Sequence, residues 1–140
     1  MSYTPNSVGR LANWRNIEDE RWHKNQFGKA ASAQNLTLAV DEVAKAEGPH
    51  REGRWLLSGV PIYRDAEGVG RIFNDTAKAE GAKIVGFLSS SVALQDQEGN
   101  WFDQVSLVGI YTSGYIYIDW LPVEVLEDDV PARFGVEKFY

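Results

Sequence analysis

The chain has 140 residues, the usual size of one domain and enough to bury a core without staples, and it carries no cysteine, so disulfides, thiolate metal sites and cysteine nucleophiles are excluded. Its formal charge of −6 argues against broad binding to a nucleic-acid backbone. No apolar run approaches a membrane span, and the opening MSYTPNSVGR lacks the apolar core of a signal peptide.

Residues 1–33 differ from the rest and read as an N-terminal arm, with residues 34–140 as a β-rich domain. Ser, Asn, Gly and basic residues dominate the arm. Leu11, Trp14, Ile17 and Trp22 make a weak helical stripe that Gly28 and Lys29 break. Two readings stay open: a short helix packed on the domain, or an extended arm that orders on a partner.

Asn35 to Val40 (NLTLAV) alternates, with Leu36, Leu38 and Val40 on one face, and reads as a half-buried strand. Asp41 to Glu47 reads as a single helical turn, ended by Gly48-Pro49 and followed by a polar loop, PHREGR. Trp55 to Arg64 is strand-like but contains Gly59 and Pro61, which predicts an edge strand or a bulge. DAEGVG (Asp65 to Gly70) reads as a turn, and Arg71 to Phe73 as a short return strand. A polar segment follows from Asp75 to Gly81.

Ala82 to Ser89 reads as a buried strand, in which Gly86 signals a bulge or a close backbone approach. QDQEGN (Gln95 to Asn100) is a turn with Gly99 available for positive φ. The clearest strands are Val105 to Tyr111 and Tyr115 to Trp120, and Thr112-Ser113-Gly114 predicts a tight hairpin between them. Tyr115, Tyr117 and Asp119 then face one way and Ile116, Ile118 and Trp120 the other, until Pro122 stops the strand. The tail is acidic at Glu124, Glu127, Asp128 and Asp129 and predicts a turn and a last short strand. The pentapeptide AKAEG at 44–48 and 77–81 has unmatched flanks and is not a repeat architecture. The fold class expected is mainly β, a β-rich α+β arrangement with short helices.

No cluster in this order meets the needs of a catalytic site. His23 and His50 lie in polar segments without a carboxylate or nucleophile at a telling spacing, and a metal centre lacks an indicated third ligand. Gly68-Val69-Gly70-Arg71 lacks the Lys-Ser/Thr ending of a phosphate loop. Asp65, Glu67, Asp96 and Glu98 read as solvated turn acids, and Ser89-Ser90-Ser91 as a strand end. The expectation is a protein without catalytic residues, metal or cofactor. The stretch with the look of a contact surface holds Arg10, Trp14, Arg15, Arg21, Trp22, His23, Lys24 and Phe27, because Trp and Arg are favoured interface anchors. Glu18, Asp19 and Glu20 interrupt it.

From Leu57 to Pro122 the order of features is distinctive. Ser58-Gly59-Val60-Pro61 leads into Ile62-Tyr63-Arg64 and an acidic-glycine turn; Val85-Gly86-Phe87-Leu88 follows. Then come Tyr111-Thr112-Ser113-Gly114, Tyr115-Ile116-Tyr117 and a closing Leu121-Pro122. This order resembles the head decoration proteins of tailed phages, the lambda-like group, over residues 35–122. The resemblance implies a small mixed β fold that forms homotrimers on the outer surface of the virion. Trimers in that family sit at three-fold and quasi-three-fold positions of an expanded head and clamp neighbouring subunits of the major capsid protein against internal DNA pressure. It implies no direct contact with nucleic acid and none with membrane. It places capsid contacts on the arm, at Trp14, Arg15, Arg21, Trp22 and Phe27, and a trimer or capsid interface at Tyr115, Tyr117 and Trp120. The arm is longer and richer in tryptophan than that of the minimal family member, and the tail after Pro122 departs from the pattern. The alternative is a small phage-encoded ligand-binding or inhibitor (counter-defence) protein, with a pocket lined by Trp101, Phe102, Tyr115 and Tyr117. Against that pocket stands plain core packing of the same aromatics.

Overall fold

A computed structural model describes Trp22 and residues 33–137. The chain runs β1 (Ala33–Ala39), α1 (Glu42–Lys45), β2 (Arg51–Glu52), β3 (Trp55–Leu56), β4 (Pro61–Arg64), β5 (Gly70–Ile72) and α2 (Asp75–Ala79), then β6 (Gly86–Leu88), β7 (Val92–Ala93), β8 (Gln104–Tyr111) and β9 (Gly114–Tyr117). Two 3₁₀ turns, Ile118–Trp120 and Glu127–Asp129, precede β10 (Phe134–Glu137). The fold is mainly β, as the alternating segments predict.

Five strands close a barrel in the order β1-β5-β4-β6-β8, with β8 returning to β1. β1 and β5 are parallel, and the other neighbours are antiparallel. Closure leaves these strands without a free edge. The barrel interior is filled by Leu36 and Leu38 of β1, Ile62, Ile72, Leu88, Val108 and Ile110, capped by Val40, Leu56 and Leu94. Each fully buried Leu or Ile contributes about 1.5–3 kcal/mol of transfer free energy.

A second core lies outside the barrel wall made by β6 and β8. Strand alternation builds both: Leu88 faces Ile110 toward the barrel interior, while the next pair, Phe87 and Tyr111, faces out. Outside, Phe87 and Tyr111 meet Trp22, Ile84, Ile116, Ile118, Leu121, Val125 and Phe134. Both faces of this wall are therefore covered, which is why Gly86-Phe87-Leu88 is buried throughout. Gly86 is a close backbone approach, as its place in the strand predicts: a Cβ there would lie 2.6 Å from the Tyr111 carbonyl oxygen.

Local chemistry sets the connections. The sequences Asp65-Ala66-Glu67-Gly68-Val69 and Asp96-Gln97-Glu98-Gly99-Asn100 form one and the same turn. In each, the first aspartate's Oδ1 accepts from the N–H groups two and four residues on, all at 2.9 Å. Its own N–H donates to the fifth carbonyl, also at 2.9 Å, and the glycine takes φ of +83° or +90°. Asp41 and Asn74 cap the two short helices by accepting from Ala44 and Ala77.

Four expectations are corrected in detail. Trp55 to Arg64 is two strands in different sheets, parted by a turn at Ser58-Gly59. Pro61 sits at the first position of β4, which is paired on both sides rather than at an edge. The PHREGR loop contains β2 and the turn into β3. The strand expected from Tyr115 to Trp120 ends at Tyr117, and Ile118–Trp120 is a 3₁₀ turn. Finally, β8 and β9 do not form a hairpin: β8 pairs with β1 and β6, while β9 leaves the barrel and pairs in parallel with β10. β8 also carries a bulge, since Leu36 faces Val108 but Leu38 faces Val105. The extra residue puts Leu107 at φ +58° and 79 % exposed.

Candidate functional site

Of the five arm residues singled out in the sequence, Trp14, Arg15, Arg21 and Phe27 lie outside the described residues. Trp22 is described, and it is 1 % exposed. Its indole packs edge-on against Tyr111, with ring centroids 5.4 Å apart, and tilted against Phe87 at 5.9 Å. Its Nε1–H donates to Ser58 Oγ at 2.9 Å, and the Ser58 hydroxyl donates to the Ser89 carbonyl at 3.0 Å. The Trp22 carbonyl accepts from the Tyr117 N–H at 2.6 Å. A buried indole with its polar edge satisfied is a core residue, so its ring is used inside the domain rather than offered to a partner.

The socket is shaped by small residues. A Cβ at Gly59 would lie 2.9 Å from Trp22 Cδ1 and 2.8 Å from Pro122 Cδ, so side chains larger than hydrogen are refused there. Ser91 Oγ accepts from the Ser58 N–H at 3.0 Å and holds the turn in place. The serine run thus serves the socket. Sequence reasoning weighed Ser58, Gly59 and Pro122 as strand and turn punctuation, and nothing local announces their joint role.

The other candidate residues stand next to this key. Tyr115 is 54 % exposed on β9 and lies across Gly135 of the paired β10. Tyr117 and Trp120 are half-buried and stack, with ring centroids 5.0 Å apart and planes tilted by 38°. β9 alternates as expected: Ile116 is buried in the second core and Tyr115 and Tyr117 turn outward. The structure therefore brings together one arm residue, Trp22, and the aromatic strand, joined through the Tyr117 N–H.

The clefts formed by the described residues include three of note. One, of about 300 Å³, runs between the β2–β3 hairpin and Trp120, with Pro49, Arg51, Ser58 and Pro122 among its walls. Another, of about 400 Å³, is formed by residues from Ile118 to Glu127. A third, of about 610 Å³, lies between α2 and the segment carrying Val130 and Arg133. Trp101, Phe102, Tyr115 and Tyr117 line none of these three. Trp101 instead packs against the barrel core with the Arg51 guanidinium 5.4 Å over its ring, and Phe102 is 40 % exposed.

The titratable groups that depart from ordinary behaviour have structural partners. The Arg71 guanidinium, at 2.7 Å, and the Val69 N–H hold the Asp65 carboxyl below the usual carboxylate range. Arg71 also reaches Asp41 at 3.0 Å, tying β5 to the cap of α1, and these two acids raise its own pKa. The Asn100 N–H and side chain hold Asp96 down in the same way. Burial pushes the Tyr111 phenol up. His50 is buried, with Nε2 placed 3.3 Å from the Ala44 carbonyl. Among the described residues no three His, Asp or Glu side chains converge as a metal site would need. Comparisons with protein-family models, curated proteins and solved structures returned no match to this chain.

Proposed function

We propose that this chain is a head decoration protein of a tailed phage, binding the expanded capsid as trimers at three-fold and quasi-three-fold positions. The observation that carries the reading is the Trp22 key: it fixes Trp22 to β9, beside an exposed aromatic surface. The resemblance assigns capsid contacts to the segment and to Tyr115, Tyr117 and Trp120, and the Trp22–Tyr117 hydrogen bond links one residue of the first set to the second. A closed barrel suits a cement protein, because its five strands have no edge for unwanted pairing with other chains. Repetition around a trimer multiplies weak contacts through effective concentration.

The test is cosedimentation with expanded empty heads of the cognate phage. Since Trp22 belongs to the core, the informative truncation removes residues 2–19 and keeps the key. It is expected to stay folded and to lose head binding by at least about tenfold, the scale on which multivalent attachment responds to a lost contact. Undiminished binding by the truncated protein would overturn the role given to the arm.

A further inference from the structure

We infer that Arg54 and Trp55, at the tip of the β2–β3 hairpin, form the docking site for an aspartate or glutamate side chain of a partner protein. The tip is a two-residue turn in which Gly53 takes φ of +59° and Glu52 pairs with Trp55. It is held from two sides. The Arg54 carbonyl accepts from the Leu94 N–H at 2.7 Å, and the Arg51 guanidinium donates to the Gly53 carbonyl. Two arginine–tryptophan stacks flank the turn. The Arg51 guanidinium lies 5.4 Å from the Trp101 ring centroid, and that of Arg54 lies 5.1 Å from the Trp55 centroid.

The two stacks differ in what their polar atoms meet. Arg51 is committed to the fold: its Nε donates to the Ala46 carbonyl at 3.3 Å, and Trp101 packs on the barrel core. Arg54 Nε is buried and meets no acceptor among the described residues, and no ion pair among them includes Arg54. Trp55 is half-buried and belongs to neither core, and its indole N–H has no acceptor among the described residues. A guanidinium laid on an indole, with one nitrogen withdrawn from solvent, is poorly hydrated and gains from a charged acceptor. The pair offers donors and positive charge without an acceptor, so its complement is an anion. A carboxylate matches the planar fork of the two terminal nitrogens with parallel hydrogen bonds. Arg54 and Trp55 line none of the three clefts, so the carboxylate arrives on a protein surface rather than on an enclosed small molecule. Tryptophan and arginine are the favoured anchors of such surfaces. The chain's charge of −6 opposes a phosphate polymer. Glu52, across the ladder from Trp55, lines the cleft toward Trp120.

The inference stands without the capsid reading, and its test uses the free, full-length protein. The probe is the peptide acetyl-Leu-Glu-Leu-amide, titrated into ¹⁵N-labelled protein while the Arg54 Nε–H and Trp55 indole N–H resonances are followed by NMR. Both are expected to shift together and to saturate, while the Arg51 Nε–H resonance stays in place. Acetyl-Leu-Gln-Leu-amide, which keeps the shape and loses the charge, is expected to bind at least about tenfold more weakly, the scale of a hydrogen bond to a charged group. Arg54→Lys keeps the charge but loses the fork, and is expected to weaken the glutamate peptide by a similar factor with the remaining amide spectrum unchanged. Inorganic phosphate is the second arm and is expected to bind more weakly than the glutamate peptide. Unmoved Arg54 and Trp55 resonances, equal shifts at Arg51, equal binding of the two peptides, or tighter binding of phosphate would each overturn the inference. The wild-type titration decides even where Arg54→Lys fails to fold.

Discussion

Ser58 and Ser89 are neighbours in the same buried corner, and they differ in what their hydroxyls do. Ser58 Oγ accepts from Trp22 and donates to the Ser89 carbonyl, whereas Ser89 Oγ is buried without a partner. Ser58→Ala orphans a buried indole N–H and is expected to cost about 1–3 kcal/mol. Ser89→Ala removes an unpaired hydroxyl and is expected to stay within about 0.5 kcal/mol of the parent. Trp22→Ala empties the socket and is expected to cost about 3–5 kcal/mol. Urea denaturation followed by far-ultraviolet circular dichroism measures all three; a Trp22→Ala protein as stable as the parent would contradict the core role. The sequence marks Trp22 as an interface anchor because it sits among Arg21, His23 and Lys24. A polar neighbourhood in the chain says nothing about a socket assembled from Ser58, Gly59, Tyr111 and Pro122, residues 36 to 100 positions away.

At the scale of elements, what is legible is what local chemistry decides. The alternation of Leu36, Leu38 and Val40, the two acidic-glycine turns and the close approach at Gly86 all follow from residue type and spacing. The fate of β9 does not. Thr112-Ser113-Gly114 has the composition of a hairpin turn, but Phe134 of β10 packs edge-on against Phe87 at 5.2 Å and lies 5.8 Å from Tyr111. Burial in the second core draws β9 toward β10 instead, a choice made by residues distant in sequence. The twin turns carry a pH prediction. The folded-state pKa values of Asp65 and Asp96 lie below the unfolded value of about 3.9, so their stabilisation is present above that value and is lost as pH falls through the folded values. Asp65→Asn with Asp96→Asn is expected to lower stability at neutral pH and to flatten the acid limb of a stability–pH curve below about pH 4. An unchanged acid limb would count against these turns as the source.

At the scale of the molecule, the barrel and the second core share one wall, and Trp22 is keyed into the outer of the two. The tail follows the same plan. Arg133 donates to the carbonyls of Thr112 and Val85, and Lys78 pairs with Asp129 at 3.1 Å, so the acidic segment is fastened at both the barrel wall and α2. The aromatic strand and the Trp22 anchor lie together, a form that suits lattice binding by repeated contacts. The most direct test of the proposed role is cryo-electron microscopy of expanded empty heads incubated with the purified full-length protein. The account predicts added trimeric density at the three-fold and quasi-three-fold positions, with the β9 side and the N-terminal segment turned toward the capsid. Heads without added density at those positions would contradict it.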